Sequence, residues 1–114
     1  MHLDFANLGQ VCLNIITNAI HAAGRDQGKI IIRTGYDEQR DMVIFECVDN
    51  GPGISEDVMK DIFKPFFTTK EVGKGTGLGL YISHEIVRRH NGNIFAENNP
   101  HVGATFRVEL PVAG

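Results

Sequence analysis

Apolar side chains recur at Leu8, Val11, Cys12, Ile15, Ile16, Ala19, Ile20 and Ala23. This is the i, i+3, i+4, i+7 spacing of a helix that turns one face to a core. The spacing predicts a helix over residues 4–24, with Asp4 as its N-cap and Gly24 as its stop. One apolar stripe needs a partner layer, and the next residues supply it. Gly28–Tyr36 is rich in β-branched residues and reads as a strand. Met42–Val48 reads as a second strand, after a polar turn at Asp37–Asp41. A helix followed by a hairpin confines the chain to folds that lay helices on a sheet.

The same alternation returns in the second half. Ser55 is the expected N-cap of a short helix that ends at Lys64-Pro65. Leu78–Asn91 reads as a second long helix, with Leu78, Ile82 and Ile86 on one stripe and Gly92 at its end. Asn93–Glu97 and Ala104–Leu110 read as strands around a turn at Asn98–Gly103. The expected fold class is α/β, a two-layer sandwich with a mixed sheet. At 114 residues, with no repeat and no linker, residues 1–114 are expected to form one domain.

Composition narrows the function classes. Hydrophobic residues make up 42% and charged residues 22%, which suits a globular chain rather than a disordered one. Formal net charge is -3 and no run of Lys or Arg occurs, so a nucleic-acid surface is not expected. Cys12 and Cys47 lack metal spacing and are expected as free thiols in a reducing cytoplasm. No apolar run approaches the roughly 20 residues of a membrane span. Met1-His-Leu-Asp has neither the basic start nor the apolar core of a signal peptide. Any membrane part would lie outside this chain.

Three stretches could carry chemistry. Asn14, Asn18 and His21 sit at i, i+4, i+7, on one helix face beside the apolar one. A solvated polar face explains them about as well as a pair of amide oxygens presented to Mg²⁺, which keeps several waters and few protein ligands. Asp49, in Asp49-Asn-Gly-Pro-Gly-Ile54, shares strand parity with Val43, Phe45 and Cys47, so it should face the core side. A carboxylate there needs a donor, either its own turn or the exocyclic amine of a ligand such as adenine. Gly73-Lys-Gly-Thr-Gly-Leu-Gly-Leu80 places four glycines before a helix. Bare amides at a helix N-terminus suit a phosphate, although ordinary loops share this composition. The stretch is neither a Rossmann nor a Walker pattern.

The order of these stretches is more specific than any of them. NxxxN on a helix, DNGPGI, FKPFFTTK, GKGTGLGLYIS and GATF together resemble the catalytic ATP-binding domain of bacterial sensor histidine kinases. These belong to a superfamily with gyrase B, heat-shock protein 90 and MutL. The resemblance runs from about Leu8 to Leu110, and FFTTK looks most like the nitrogen-regulation and dicarboxylate-sensing branches. It implies the left-handed β-α-β sandwich of the Bergerat ATP-binding type, with helices on one sheet face and a flexible ATP lid.

The resemblance also implies roles. Asn18 would be the Mg²⁺ ligand, with Asn14 supporting phosphate or metal and His21 and Ala22 nearby. Asp49 would bond the adenine amine, above a floor of Gly51, Gly53 and Ile54. Phe63 and Phe66 match a phenylalanine box. Phe66–Thr76 would be the lid, with Lys70 on the γ-phosphate. Gly73, Lys74, Gly75, Thr76, Gly77, Leu78, Gly79 and Leu80 would surround the phosphates, and Thr105 would sit near the adenine.

Asn14 bears on the choice of reaction. Relatives that hydrolyse ATP, and serine kinases of the anti-sigma type, carry a glutamate base at this place. An amide cannot take a proton from water or a hydroxyl, whereas neutral imidazole already has a free ring nitrogen near pH 7. The expectation is therefore transfer of the ATP γ-phosphate to a histidine, with Asn14 and Lys70 as the catalytic pair. A regulatory module without kinase activity and a serine kinase stay open as alternatives. His2, His21, His84, His90 and His101 are poor acceptor candidates. The acceptor is expected in a separate dimerising helical hairpin, with a response-regulator receiver domain downstream. The chain alone is expected to be monomeric and to bind ATP and Mg²⁺ without appreciable autophosphorylation.

Overall fold

Helix α1 (Phe5–Ala23) buries Val11, Ile15 and Ala19, each four residues after the last, so one stripe enters the core. Gly24 ends it with φ +80°, its N–H reaching the Ile20 carbonyl at 3.3 Å. These features belong to a computed structural model that describes residues 5–24, 27–65 and 79–112. Asp4 and the whole stretch Phe66–Leu78 lie outside the described residues.

Strands β1 (Ile30–Asp37) and β2 (Met42–Asp49) form the expected hairpin, with Ile30 opposite Asp49 and Asp37 opposite Met42. Helix α2 (Glu56–Asp61) is capped by Ser55, whose hydroxyl accepts from the Val58 N–H at 3.3 Å. Helix α3 (Gly79–Arg89) leads to β3 (Asn93–Asn98) and β4 (Ala104–Pro111). Asn91, with φ +60°, takes the left-handed position after α3, one residue before Gly92. Gly92 is needed for another reason: a Cβ there would stand 2.3 Å from the Glu109 carbonyl oxygen.

Among the described residues the strand order is β1-β2-β4-β3, and all three pairings are antiparallel. The expected mixed sheet is corrected by the position of β4. Strands β2 and β3 do run parallel, but β4 enters between them and pairs antiparallel with both. The α/β two-layer class itself is present. α1 and α3 pack together, α1 over β1 and β2 and α3 over β3.

The register aligns the core. Cys47 is opposite Phe106, Phe45 opposite Val108, and Ile94 opposite Val108, so these side chains share the helix-facing side. Phe106, Ile15, Val11, Val87 and Cys47 are essentially inaccessible, each apolar side chain contributing about 1.5–3 kcal/mol by burial. The other sheet face carries Glu109, buried beneath Arg40. The Arg40 guanidinium binds both carboxylate oxygens, at 3.2 and 2.7 Å, and Arg107 Nε adds a contact at 3.0 Å. Arg40 beside it holds the Glu109 carboxyl below the usual glutamate value. This clamp fixes the hairpin turn to β4, at the opposite end of β2 from Asp49.

Candidate functional site

Asp49 ends β2 on the helix-facing side, as its parity with Cys47 predicts, and is 3% exposed. Its Oδ1 accepts from the Gly51 N–H at 2.9 Å and from the Ala104 N–H at 3.3 Å. Its Oδ2 is buried and has no hydrogen-bond partner. An orphaned carboxylate oxygen at this depth is costly unless a ligand or a water in the cleft donates to it. Burial pushes the neighbouring Cys47 thiol up, and the Asp49 charge adds to this. Cys12 and Cys47 are both free thiols.

Asp49 opens into a cleft of about 400 Å³. Asn18 and Ala22 of α1 form one wall, and Pro52, Gly53, Ile54 and Ser55 form the floor. Val58 of α2 and Ile62 just after it, with Ala104 and Phe106 of β4, close the apolar end. The volume is typical of a small-molecule site, with one buried carboxylate among mostly apolar surfaces. Among the described residues the Asn18 amide makes no hydrogen bond, so both its ends are available on the cleft wall. A second concavity, about 410 Å³, lies between His84, Arg88, Asn91 and Asn93. It is at the carbonyl end of α3, where the helix dipole disfavours an anion.

Close backbone approaches shape the cleft. A Cβ on Gly51 would stand 2.3 Å from the Ala22 carbonyl oxygen. A Cβ on Gly103 would stand 1.9 Å from the Asp49 carbonyl oxygen, and Gly103 also has φ +83°. Asn50 ties the same loop to the segment before β1, accepting from the Lys29 N–H at 2.8 Å and donating to the Gln27 carbonyl at 2.9 Å. From the far side, Asn99 Nδ2 donates to the Asp49 carbonyl at 3.2 Å. Asp49 is thus held by a backbone pinned on both sides.

The remaining expected residues divide. Asn14 does not line the cleft. Its Nδ2 donates to the Gly79 carbonyl at 3.0 Å and the Ser83 hydroxyl at 3.2 Å, and its Oδ1 accepts from Gln10 at 2.8 Å. It therefore braces α1 against the start of α3. His21 is exposed and also outside the cleft lining. Leu80 packs against the core. Phe63 stacks on His84, with ring centroids 5.3 Å apart, and meets Phe106 edge-on at 6.3 Å, so it supports a cleft wall from behind. Thr105 is not brought to the cleft. Strand alternation sends Ala104 and Phe106 there, while Thr105 faces the other side and its hydroxyl donates to Asn99. Lys70, Gly73, Lys74, Gly75, Thr76, Gly77 and Leu78 lie outside the described residues, as does Phe66. Sequence reasoning missed Asn98 and Asn99. Their only signal is a turn-like Asn-Asn-Pro cluster.

This arrangement can be set beside known proteins. Residues 4–114 match the family model described as histidine kinase-, DNA gyrase B-, and HSP90-like ATPase. The chain belongs to this family. Its curated relatives include the sensor protein FixL of Bradyrhizobium diazoefficiens, 39% identical over 96% of this chain and 21% of FixL. The histidine-protein kinase AtoS of Escherichia coli is 45% identical over 98% of this chain and 18% of AtoS. The chain thus spans about a fifth of the length of these relatives. Among solved structures, the nucleotide-free catalytic domain of histidine kinase ThkA superposes with a TM-score of 0.82 at 39% identity, covering 95% of this chain and 68% of that one. The mycobacterial sensor histidine kinase MprB gives 0.85 at 26% identity, covering 96% and 74%. Family members of this kind share the α/β sandwich seen here. Among the described residues no helix is long and apolar enough to cross a membrane.

Proposed function

We propose that the chain is the ATP-binding catalytic domain of a sensor histidine kinase, and that it passes the ATP γ-phosphate to a histidine on a separate helical hairpin. The observation that carries this reading is the buried, unpartnered Asp49 Oδ2 inside a mostly apolar cleft. An ionised carboxylate only accepts, and the adenine amine is a donor of suitable size for a ring lying over Ile54. Asn18, on the cleft wall with its amide unengaged, is the residue to hold Mg²⁺, which supplies charge neutralisation on the phosphates when bound. Lys70 and the glycines from Gly73 to Gly79 are proposed to surround the phosphates. Asn14, bonded to Gly79 and Ser83, supports this region by fixing where α3 begins.

The absence of a carboxylate at position 14 favours histidine as acceptor, because its neutral ring nitrogen needs no base. The histidine kinase ThkA has been solved in complex with the response regulator protein TrrA. By likeness, a receiver domain is the proposed downstream partner here. A serine kinase is the second reading, and acid stability separates the two. Titration calorimetry with ATP and ADP, with and without Mg²⁺, tests the site. Saturable binding in wild type that weakens at least about tenfold in Asp49→Ala is the expected result. Equal binding by both would remove Asp49 from the site. Adding the phosphoacceptor hairpin should then yield an acid-labile phosphoprotein, and an acid-stable product would favour the serine kinase.

A further inference from the structure

The floor of the cleft is not held by its own loop. The Asn98 side chain, at the end of β3, reaches the backbone of Ile54. Its Oδ1 accepts from the Ile54 N–H and its Nδ2 donates to the Ile54 carbonyl, each at 2.7 Å. One primary amide thus satisfies both polar groups of a single residue, as a neighbouring strand would. Gly53 makes room for it: a Cβ there would stand 2.9 Å from Asn98 Oδ1. The adjacent Asn99 binds the Asp49 carbonyl at 3.2 Å and the Val102 carbonyl at 3.0 Å. Two consecutive asparagines therefore hold both sides of the base site, Ile54 below and the Asp49 backbone behind.

We propose that Asn98 is a specificity-determining positioning residue, which sets the height of Ile54 so that only a 6-aminopurine meets Asp49 Oδ2. This rests on the nucleotide reading above. A 6-aminopurine offers its amine to the carboxylate. A 6-oxopurine in the same place would turn an acceptor against an acceptor. However, guanine carries an N1–H and a 2-amino group side by side, and this pair suits a carboxylate well. Guanine is rejected only if the floor and the cleft walls prevent it from sliding to present that edge. Asp49 alone supplies no such barrier, because it accepts from any donor. A fixed floor does supply it, and Asn98 is what fixes the floor.

The test is the ratio of ATP to GTP affinity, measured by calorimetry on the folded chain. Wild type is expected to prefer ATP. Asn98→Ala is expected to lower the ATP/GTP ratio by about tenfold or more, through weaker ATP and relatively stronger GTP binding. A merely structural effect would weaken both nucleotides equally and leave the ratio unchanged. Asn98→Asp, which keeps the acceptor for the Ile54 N–H and loses the donor, should fall between, and it serves as the readout if the alanine variant does not fold. Asn93→Ala, on the same strand and away from Ile54, should keep the wild-type ratio. A ratio within twofold of wild type in the position-98 variants overturns the clamp while leaving the nucleotide site standing. A wild-type chain that binds neither nucleotide overturns both.

Discussion

Asn14 and Gly79 are 65 positions apart in sequence and joined by a 3.0 Å hydrogen bond from the Asn14 amide to the Gly79 carbonyl. Ser83, fully buried, accepts from the same amide at 3.2 Å and donates to the same carbonyl at 2.9 Å. Three groups thus close a small network where α3 begins. Asn14→Ala should lower the unfolding free energy by about 1–3 kcal/mol, because the buried Ser83 hydroxyl and the Gly79 carbonyl lose a part-buried donor. Asn14→Ala with Ser83→Ala should cost less than the sum of the single changes. Additive losses in denaturant unfolding would mean the three groups do not act together.

Asp49→Asn separates folding from recognition. The new side chain keeps an oxygen for the Gly51 and Ala104 N–H groups, so the fold should persist. Its NH₂ would replace the free Oδ2 and face a donor on adenine. ATP affinity should fall by about 10- to 100-fold, and inosine triphosphate, with an acceptor at that ring position, should lose far less. Competition titration with the two nucleotides reads this directly.

Gly103→Ala should be among the most damaging small changes. The added Cβ would overlap the Asp49 carbonyl oxygen at 1.9 Å, at a residue with φ +83°. A loss of more than about 2 kcal/mol is expected, with nucleotide binding lost as Asp49 is displaced. Gly35→Ala makes the control: nothing lies within 4 Å of its Cβ position, so thermal melting should barely change.

The Arg40–Glu109 clamp gives stability a pH dependence of known sign. The Glu109 carboxyl is held below its ordinary value, so the folded chain binds its proton less readily than the unfolded chain does. The stabilisation is therefore fully present above the ordinary glutamate value of about 4.3 and is lost as pH falls through the lower folded value. Arg40→Met should destabilise the chain at pH 7 and do so less at pH 3. A penalty that is equal at both values would show that the arginine acts through packing alone.

Much of this was legible in the residues themselves. The periodicity of Val11, Ile15 and Ala19 gave α1 and its buried face, and the parity of Cys47 and Asp49 put the carboxylate on the helix side. Alternation also places Thr105, since Ala104 and Phe106 take the inward positions and leave its hydroxyl to Asn99 on the other face. What local pattern could not supply was non-local. No feature of β4 announces that it enters between β2 and β3. Nor does the composition of Asn98-Asn99-Pro distinguish a turn bonded to itself from one bonded to Ile54, 44 positions away. Asn14 shows the same limit from the other side. Its helix face was visible, but the groups it meets on α3 were not.

Among the described residues, strand β3 has a neighbour on one side only, which is β4. Edge strands of this kind open more cheaply than the centre of a sheet, and their amides exchange with solvent sooner. Because Asn98 terminates β3, each fraying event there releases Ile54 as well. Nucleotide bound above Ile54 would favour the closed strand by mass action. Amide protection along Asn93–Asn98 should therefore rise with nucleotide concentration, giving a remote readout of occupancy at residues that touch no part of the ligand.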